Sequence, residues 1–218
     1  MIEDRKYKRQ RADLITDLRR KGISDERVLK ALGAVARHAF IDDAFLPRAY
    51  KDEALPIGLD QTISQPFTVA YQTMLLDPQP DERILEIGTG SGYQAAVLCE
   101  MGVRVFTIER LQTLFQRSSA LLPRLGYRAV CRLGDGTQGW EAVAPFDGII
   151  VTAGTAEIPD QLLAQLRTPD NGLPGGRLII PVGDRDSQKM WRITRKGQDE
   201  FDSEETEGFR FVPLIPDS

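Results

Sequence analysis

Gly88, Gly90 and Gly92 stand at alternate positions in Ile84-Leu85-Glu86-Ile87-Gly88-Thr89-Gly90-Ser91-Gly92-Tyr93, after an apolar run and before a helical one. A strand that enters a helix through glycines lets the backbone take up positive φ and approach a ligand where a Cβ would obstruct it. The register is G-x-G-x-G, with Tyr93 where the last glycine of a dinucleotide fingerprint falls. The turn therefore predicts a nucleotide cofactor without naming it.

Acidic residues narrow the choice. Glu86 lies two residues before the first glycine, and Glu109 closes the next apolar run, 103–108, at a distance of 23 residues. That interval accommodates strand, turn, helix and strand in one right-handed crossover. An acid at the tip of the second strand can accept hydrogen bonds from both ribose hydroxyls of an adenosine. Asp135, in Gly134-Asp135-Gly136 after a third strand-like segment at 128–133, can accept from an adenine amino group. No basic residue is placed to meet a phosphate, so the three stations describe adenosine without pyrophosphate. S-adenosylmethionine fits that description better than a dinucleotide does.

These residues need a scaffold, and the hydrophobic pattern predicts one. Two helices open the chain: 8–21, ended by Gly22, and a second capped by Ser24 that carries Val28, Leu29, Leu32 and Val35 on one face. Residues 54–67 mix Pro, Gly, Thr, Ser and Gln and read as a structured loop rather than strand or helix. A helix at 68–76 follows. Strands at 83–87, 103–109, 128–133, 146–152 and 176–182 then alternate with helices at 92–101, 111–122 and 158–167, the pattern of a doubly wound, mostly parallel α/β sheet. Segments 189–195 and 209–215 are expected to close the sheet as an antiparallel pair, and 168–174 to be a surface loop. With 218 residues the expectation is a single catalytic domain, 1–218. Within it, 1–55 form an N-terminal helical part, 56–80 an active-site loop and helix, and 81–218 a cofactor-binding α/β core.

Composition sets the compartment and excludes partners. With 28 basic and 32 acidic residues the net charge is -4, which argues against a nucleic-acid or membrane partner. No stretch approaches the roughly 20 apolar residues of a membrane span, and the charged 1–11 segment has no apolar signal region. A cytoplasmic protein is expected. Cys99 and Cys131 lack metal-site spacing and are read as core residues, so no metal is predicted. His38, the single histidine, has no acid at catalytic spacing and is read as structural or solvent-exposed; Trp140 and Trp191 are read as packing residues.

Thr62-Ile63-Ser64-Gln65-Pro66-Phe67 distinguishes this chain from a generic cofactor domain. Together with Ala54-Leu55-Pro56-Ile57-Gly58, the glycine turn, Ile108-Glu109-Arg110, Gly134-Asp135-Gly136, Pro145-Phe146-Asp147 and Phe211-Val212-Pro213-Leu214, it resembles the protein-L-isoaspartate O-methyltransferase family over nearly the whole length from about Gly22. The resemblance implies a Rossmann-like class I S-adenosylmethionine-dependent methyltransferase fold with an N-terminal helical extension. It implies that the chain methylates the free α-carboxylate of L-isoaspartyl residues in damaged proteins and peptides, with D-aspartyl residues as a further candidate, leaving S-adenosylhomocysteine. Ser64 would be the catalytic hydroxyl, with Ile63 beside it at the substrate and Thr62 and Ile63 walling the cofactor. Glu86, Gly88, Thr89, Gly90 and Ser91 would hold the methionine part, Glu109 and Arg110 the ribose, and Asp135 and Gly136 the adenine. Leu59-Asp60 departs from the family's commoner residues before Gln61. The oligomeric state stays open, with a monomer favoured.

The same residues admit other readings. A methyltransferase acting on another carboxylate or a specialised peptide keeps every station. A nicotinamide-dependent dehydrogenase is disfavoured by the glycine register and the lack of a Tyr-x-x-x-Lys pair, and a non-catalytic cofactor-binding module by the intact Ser64 block.

Overall fold

The structure, a computed structural model, describes residues 5–170, 172–184 and 187–215. Asn171, in the 168–174 loop, lies outside them. A seven-stranded sheet has the order β5-β4-β3-β6-β7-β8-β9. Its strands are β3 (Arg83–Ile87), β4 (Arg104–Glu109), β5 (Ala129–Leu133), β6 (Gly148–Val151), β7 (Arg177–Gly183), β8 (Gln188–Arg195) and β9 (Phe201–Phe209). β3 to β7 pair in parallel, and β8 is antiparallel to both β7 and β9. The chain runs outward from β3 through α4 (Tyr93–Glu100) to β4 and through α5 (Gln112–Arg124) to β5, then returns to the other side of β3 as β6. Order reverses between β3 and β6, and the carboxyl ends of strands flanking such a switch point leave a crevice.

The central strands are buried on both faces, as a parallel sheet covered by helices requires. Ile84, Ile150 and Ile179 pack into one cluster with Leu14 and Leu18 of α1 (Arg5–Arg20), Val28 and Leu32 of α2 (Glu26–Ala34) and Val69 of α3 (Pro66–Leu76). Leu85, Ile149, Leu178 and Ile180 face the opposite cluster around Phe146 and Leu162, the latter on α6 (Asp160–Ala164). The alternation places Glu86 on the Ile84 face, under the N-terminal helices.

Four sequence expectations change. Asp25, not Ser24, caps α2, its carboxylate accepting from the N–H of Arg27. The segment 54–67 is not only loop: β1 (Leu55–Gly58) and β2 (Gln61–Ile63) form an antiparallel hairpin. Its turn residues Leu59 and Asp60 both take positive φ, 53° and 57°. That geometry suits a two-residue hairpin, but without Asn-Gly or Asp-Gly the sequence does not signal it. α6 shrinks from 158–167 to five residues because Pro159 stands at its N-cap and the backbone after Ala164 is taken up by Phe146, whose N–H donates to Gln165 O at 2.9 Å and whose O accepts from Arg167 N–H at 2.8 Å. Finally, the partner of β8 is 201–209, not 209–215. A tight turn, with Lys196 N–H on Glu200 O at 2.8 Å, starts β9 at once.

Candidate active site

At the switch point the glycine turn is held from both neighbouring strands. Gly88 N–H and Thr89 N–H donate to Ile108 O at 2.9 and 3.2 Å, while Thr152, just past β6, donates its hydroxyl to Gly88 O at 2.7 Å and Ile87 O at 3.0 Å. Gly88 has φ +91°, and a Cβ there would lie 2.5 Å from Thr152 Oγ1. Glycine is required at this position both by backbone conformation and by that contact.

Glu109 ends β4 beside this turn. Its Oε2 accepts from Gly90 N–H at 2.7 Å and its Oε1 from Leu111 N–H at 2.9 Å. Each oxygen keeps a further lone pair for a ligand, because a carboxylate offers about four acceptor directions. The acid expected at the ribose thus also braces the backbone around it.

Glu86 is fully buried in the floor of the crevice. Thr107 donates its hydroxyl to Glu86 Oε2 at 2.6 Å, and Thr89 Oγ1 lies 2.6 Å from Thr107 Oγ1. Removal from water pushes the Glu86 carboxyl up to about 8; the Thr107 hydrogen bond opposes that and the nearby Glu109 charge adds to it. Oε1 of Glu86 and Oε1 of Gln94 are both buried without a hydrogen-bond partner, and both residues line the crevice. The Gln94 amide is oriented: its Nε2 donates to Thr73 Oγ1 at 3.0 Å, and that hydroxyl donates to Val69 O at 2.7 Å. Two orphan acceptors in one wall fit a ligand that carries an ammonium group and a sulfonium charge.

The crevice is open at its mouth, and about 900 Å3 is the space between its walls counted together with adjoining solvent. Thr62, Ile63, Ser64, Glu86, Gly88, Thr89, Gly90, Ser91, Glu109, Arg110 and Gly136 all border it, so the structure brings together every predicted site residue except one. Asp135 is the exception. Its Oδ1 accepts from Thr137 N–H at 2.8 Å and Thr137 Oγ1 at 2.7 Å, capping the short helical turn that begins at Gly136. Gly136 meets the crevice instead, and a Cβ there would come within 2.4 Å of Ile87 Cγ2.

A second groove meets the first. It runs past Gln65, Phe67, Phe209 and Phe211, and shares Thr62, Ser64, Thr152 and Val212 with the crevice. Ser64 therefore stands on the boundary between the two spaces. Residues missed from sequence also line the crevice: Gln94, Thr152 and the segment Val212-Pro213-Leu214-Ile215. The position of Thr152 beyond the strand next to β3 was a usable signal, since ligands gather at such strand ends. Residues 212–214 are stitched to Gly154, whose N–H donates to Val212 O at 2.7 Å and whose O accepts from Leu214 N–H at 2.6 Å. Pro213, which lacks an N–H, was the sequence sign that this segment is not an ordinary strand.

Residues outside the site behave as packing. His38 Nδ1 bonds Tyr50 Oη at 2.7 Å and its ring stacks on Tyr7 at 4.1 Å. Trp140 meets Phe106 edge-on at 6.0 Å. Burial pushes the Cys99 and Cys131 thiols up to about 12 and 11, so neither is primed as a nucleophile. Among the described residues no group of three metal-ligating side chains is assembled, and no helix is long and apolar enough to cross a membrane.

Solved structures with a similar fold include two that bear on the function. A protein-L-isoaspartate O-methyltransferase superposes with a TM-score of 0.82 at 26% identity; the match covers 93% of the present chain and 65% of that one, so this chain spans a little under two thirds of its length. A Plasmodium falciparum protein described as a protein-L-isoaspartate O-methyltransferase, in complex with S-adenosyl-L-homocysteine, superposes with a TM-score of 0.79 at 25% identity over 94% of this chain and 98% of its own. Fold and site together define a Rossmann-like class I S-adenosylmethionine-dependent methyltransferase. The protein-L-isoaspartate(D-aspartate) O-methyltransferase family matches residues 9–218, and the chain belongs to that family. The protein-L-isoaspartate O-methyltransferase of Salinibacter ruber is 62% identical over 98% of this chain and 94% of its own length. That of Cytophaga hutchinsonii is 52% identical over 96% and 92%.

Proposed function

We propose that this chain transfers the methyl group of S-adenosylmethionine to the free α-carboxylate of L-isoaspartyl residues in damaged proteins and peptides, with Ser64 as the hydroxyl that orients the acceptor. The observation that carries this reading is the position of Ser64 on the wall shared by the cofactor crevice and the second groove. A group there can touch an acceptor lying in one space while the methyl donor lies in the other. Family membership supports the substrate class.

The chemistry asks little of the protein beyond placement. A carboxylate has an ordinary pKa of about 4 and is already ionised at neutral pH, so no general base is needed. S-adenosylmethionine supplies a methyl group on a sulfonium, and transfer to a carboxylate oxygen releases neutral S-adenosylhomocysteine. Glu86 and Gln94 would offer acceptors to the methionine ammonium, Glu109 and Arg110 would border the ribose, and Gly136 with Asp135 behind it would border the adenine. Ser64 donates its hydroxyl to one carboxylate oxygen and leaves the other free to attack. Alignment at a near-attack separation of roughly 3 Å can contribute several kcal/mol. In the methyl ester the backbone amide nitrogen of the following residue can attack the ester carbonyl and expel methanol, whereas a free carboxylate would have to lose oxide; the succinimide so formed hydrolyses to return some normal aspartyl linkage.

We read residues 1–218 as one catalytic unit, since a single hydrophobic cluster joins Leu14 of α1 to Ile179 of β7. The cytoplasm is the proposed compartment, with Cys99 and Cys131 kept as free thiols there. The deciding experiment uses two synthetic peptides that differ only in an isoaspartyl or an aspartyl linkage. The normal side chain reaches its carboxylate one methylene further out, and a misplacement of about 1 Å can cost on the order of 100-fold in rate. Methyl incorporation is expected in the isoaspartyl peptide alone; equal rates would assign the chain to another carboxylate.

A further inference from the structure

Ser64 sits in a segment clamped at both ends, and the outer clamp comes from a residue outside the crevice. Toward the hairpin, Ile63 pairs with Leu55. Beyond Ser64, α3 starts at Pro66, and its N-cap residue Gln65 makes no side-chain capping bond. The first free N–H of the helix is that of Phe67, because proline has none. Asp52 takes it: its Oδ1 accepts from Phe67 N–H at 2.7 Å, from fifteen residues upstream. The strands leading to and from the hairpin are thereby closed by a second cross-link, with Ser64, Gln65 and Pro66 held between the two.

The segment that carries Asp52 is itself pinned. Arg37, fully buried, donates to Ala49 O at 3.1 Å through Nε and to Glu53 O at 3.3 Å through Nη2, one anchor on each side of Asp52. Its guanidinium carbon lies 4.8 Å from the ring centroid of Tyr93, which lines the crevice. The remaining Asp52 oxygen pairs with Lys21 at the end of α1. Asp52 borders neither the crevice nor the second groove, whereas Ser64 borders both.

We propose that Asp52 is a positioning residue for methyl transfer: as a long-range cap on α3 it sets where the Ser64 hydroxyl stands relative to the crevice. The inference rests on the acceptor-orienting role given to Ser64 above. It is tested by a double-mutant cycle of Asp52→Ala and Ser64→Ala, reading kcat and KM for an isoaspartyl peptide at saturating S-adenosylmethionine and the Kd of S-adenosylhomocysteine. Asp52→Ala should lower kcat about 10-fold or more with cofactor affinity within about 2-fold, and should cost almost nothing further once Ser64 is alanine. Asp52→Asn, which keeps an acceptor for the Phe67 amide, should restore most of the rate, and Lys21→Met should leave it unchanged. Independent, multiplying losses in the double mutant overturn the proposal, as do an unaltered kcat in Asp52→Ala and a parallel fall in cofactor affinity. If Asp52→Ala does not fold, Asp52→Glu replaces it in the cycle, keeping the charge and carrying the carboxylate one methylene too far; the same outcomes decide. A wild-type protein that ignores the isoaspartyl peptide, or a fully active Ser64→Ala, would instead strike the underlying assignment, a result distinct from either outcome for Asp52.

Discussion

Gly90 donates its backbone N–H to Oε2 of Glu109 across 2.7 Å, so the acid that closes β4 is bonded to the glycine turn after β3. Neighbouring parallel strands β3 and β4 bring the two together although they lie 19 residues apart. The carboxylate preorganises the turn and borders the crevice, where we propose that its free lone pairs meet a ribose.

Glu109→Ala is expected to weaken S-adenosylhomocysteine binding far more than it slows the chemical step. Hydrogen bonds to a charged group contribute about 1.5 to 3 kcal/mol each, so affinity should fall by about 10- to 150-fold for each bond lost to the ribose. A modest drop in melting temperature should accompany it, because Gly90 and Leu111 lose their acceptor. Calorimetric titration settles the matter, and an unchanged Kd would remove Glu109 from the cofactor site.

Ser64→Ala should keep cofactor affinity within a few fold and lose turnover on isoaspartyl peptide. In the proposed role the hydroxyl meets the acceptor and not the cofactor, and an interaction that aligns the acceptor counts mainly in the transition state. A radiolabelled-methyl assay with normal kcat would withdraw the role assigned to Ser64.

Gly88→Ala should destabilise the protein and the cofactor site together. A left-handed backbone costs an L-residue about 1 to 2 kcal/mol, and the new Cβ would also press on Thr152 Oγ1. Thr152→Ala removes that oxygen together with its hydrogen bonds to Ile87 O and Gly88 O, so Gly88→Ala is read in both backgrounds and should cost less where Thr152 is already alanine. Thermal melts of the two single variants and the double variant check this; an equal loss in the two backgrounds would mean that the collision with Thr152 contributes nothing.

Glu86 makes stability depend on pH in a defined direction. Its carboxyl sits near 8 in the folded protein against an ordinary 4.5, so the folded state holds the proton more tightly. Its contribution is therefore full below about 4.5, declines as pH rises toward 8, and is constant above that. Glu86→Gln cannot ionise, so its melting temperature should gain on that of the wild type across this window in the absence of cofactor. Parallel curves between pH 5 and 8 would show that burial does not hold Glu86 protonated.

The glycine turn, the acids at the ends of β3 and β4, and the alternation of strands and helices were legible because each is written within a short stretch. Positive φ selects glycine locally, and hydrophobic period separates a buried strand from a helix without reference to the rest of the chain. The Ser64 block was legible only as a family resemblance, since nothing in its local spacing demands a catalytic serine. Tertiary structure alone decided the rest. The β1–β2 hairpin depends on Leu59 and Asp60 accepting positive φ against their preference, which the pairing of Leu55 with Ile63 enforces. Residues 212–215 became a wall of the crevice rather than a strand because their backbone partner is Gly154, far away in sequence. Asp135 turned to Thr137, leaving Gly136 to meet the crevice. The raised Glu86 carboxyl and the cap that Asp52 places on Phe67 likewise come from burial and non-local hydrogen bonding, which no local pattern of residues encodes.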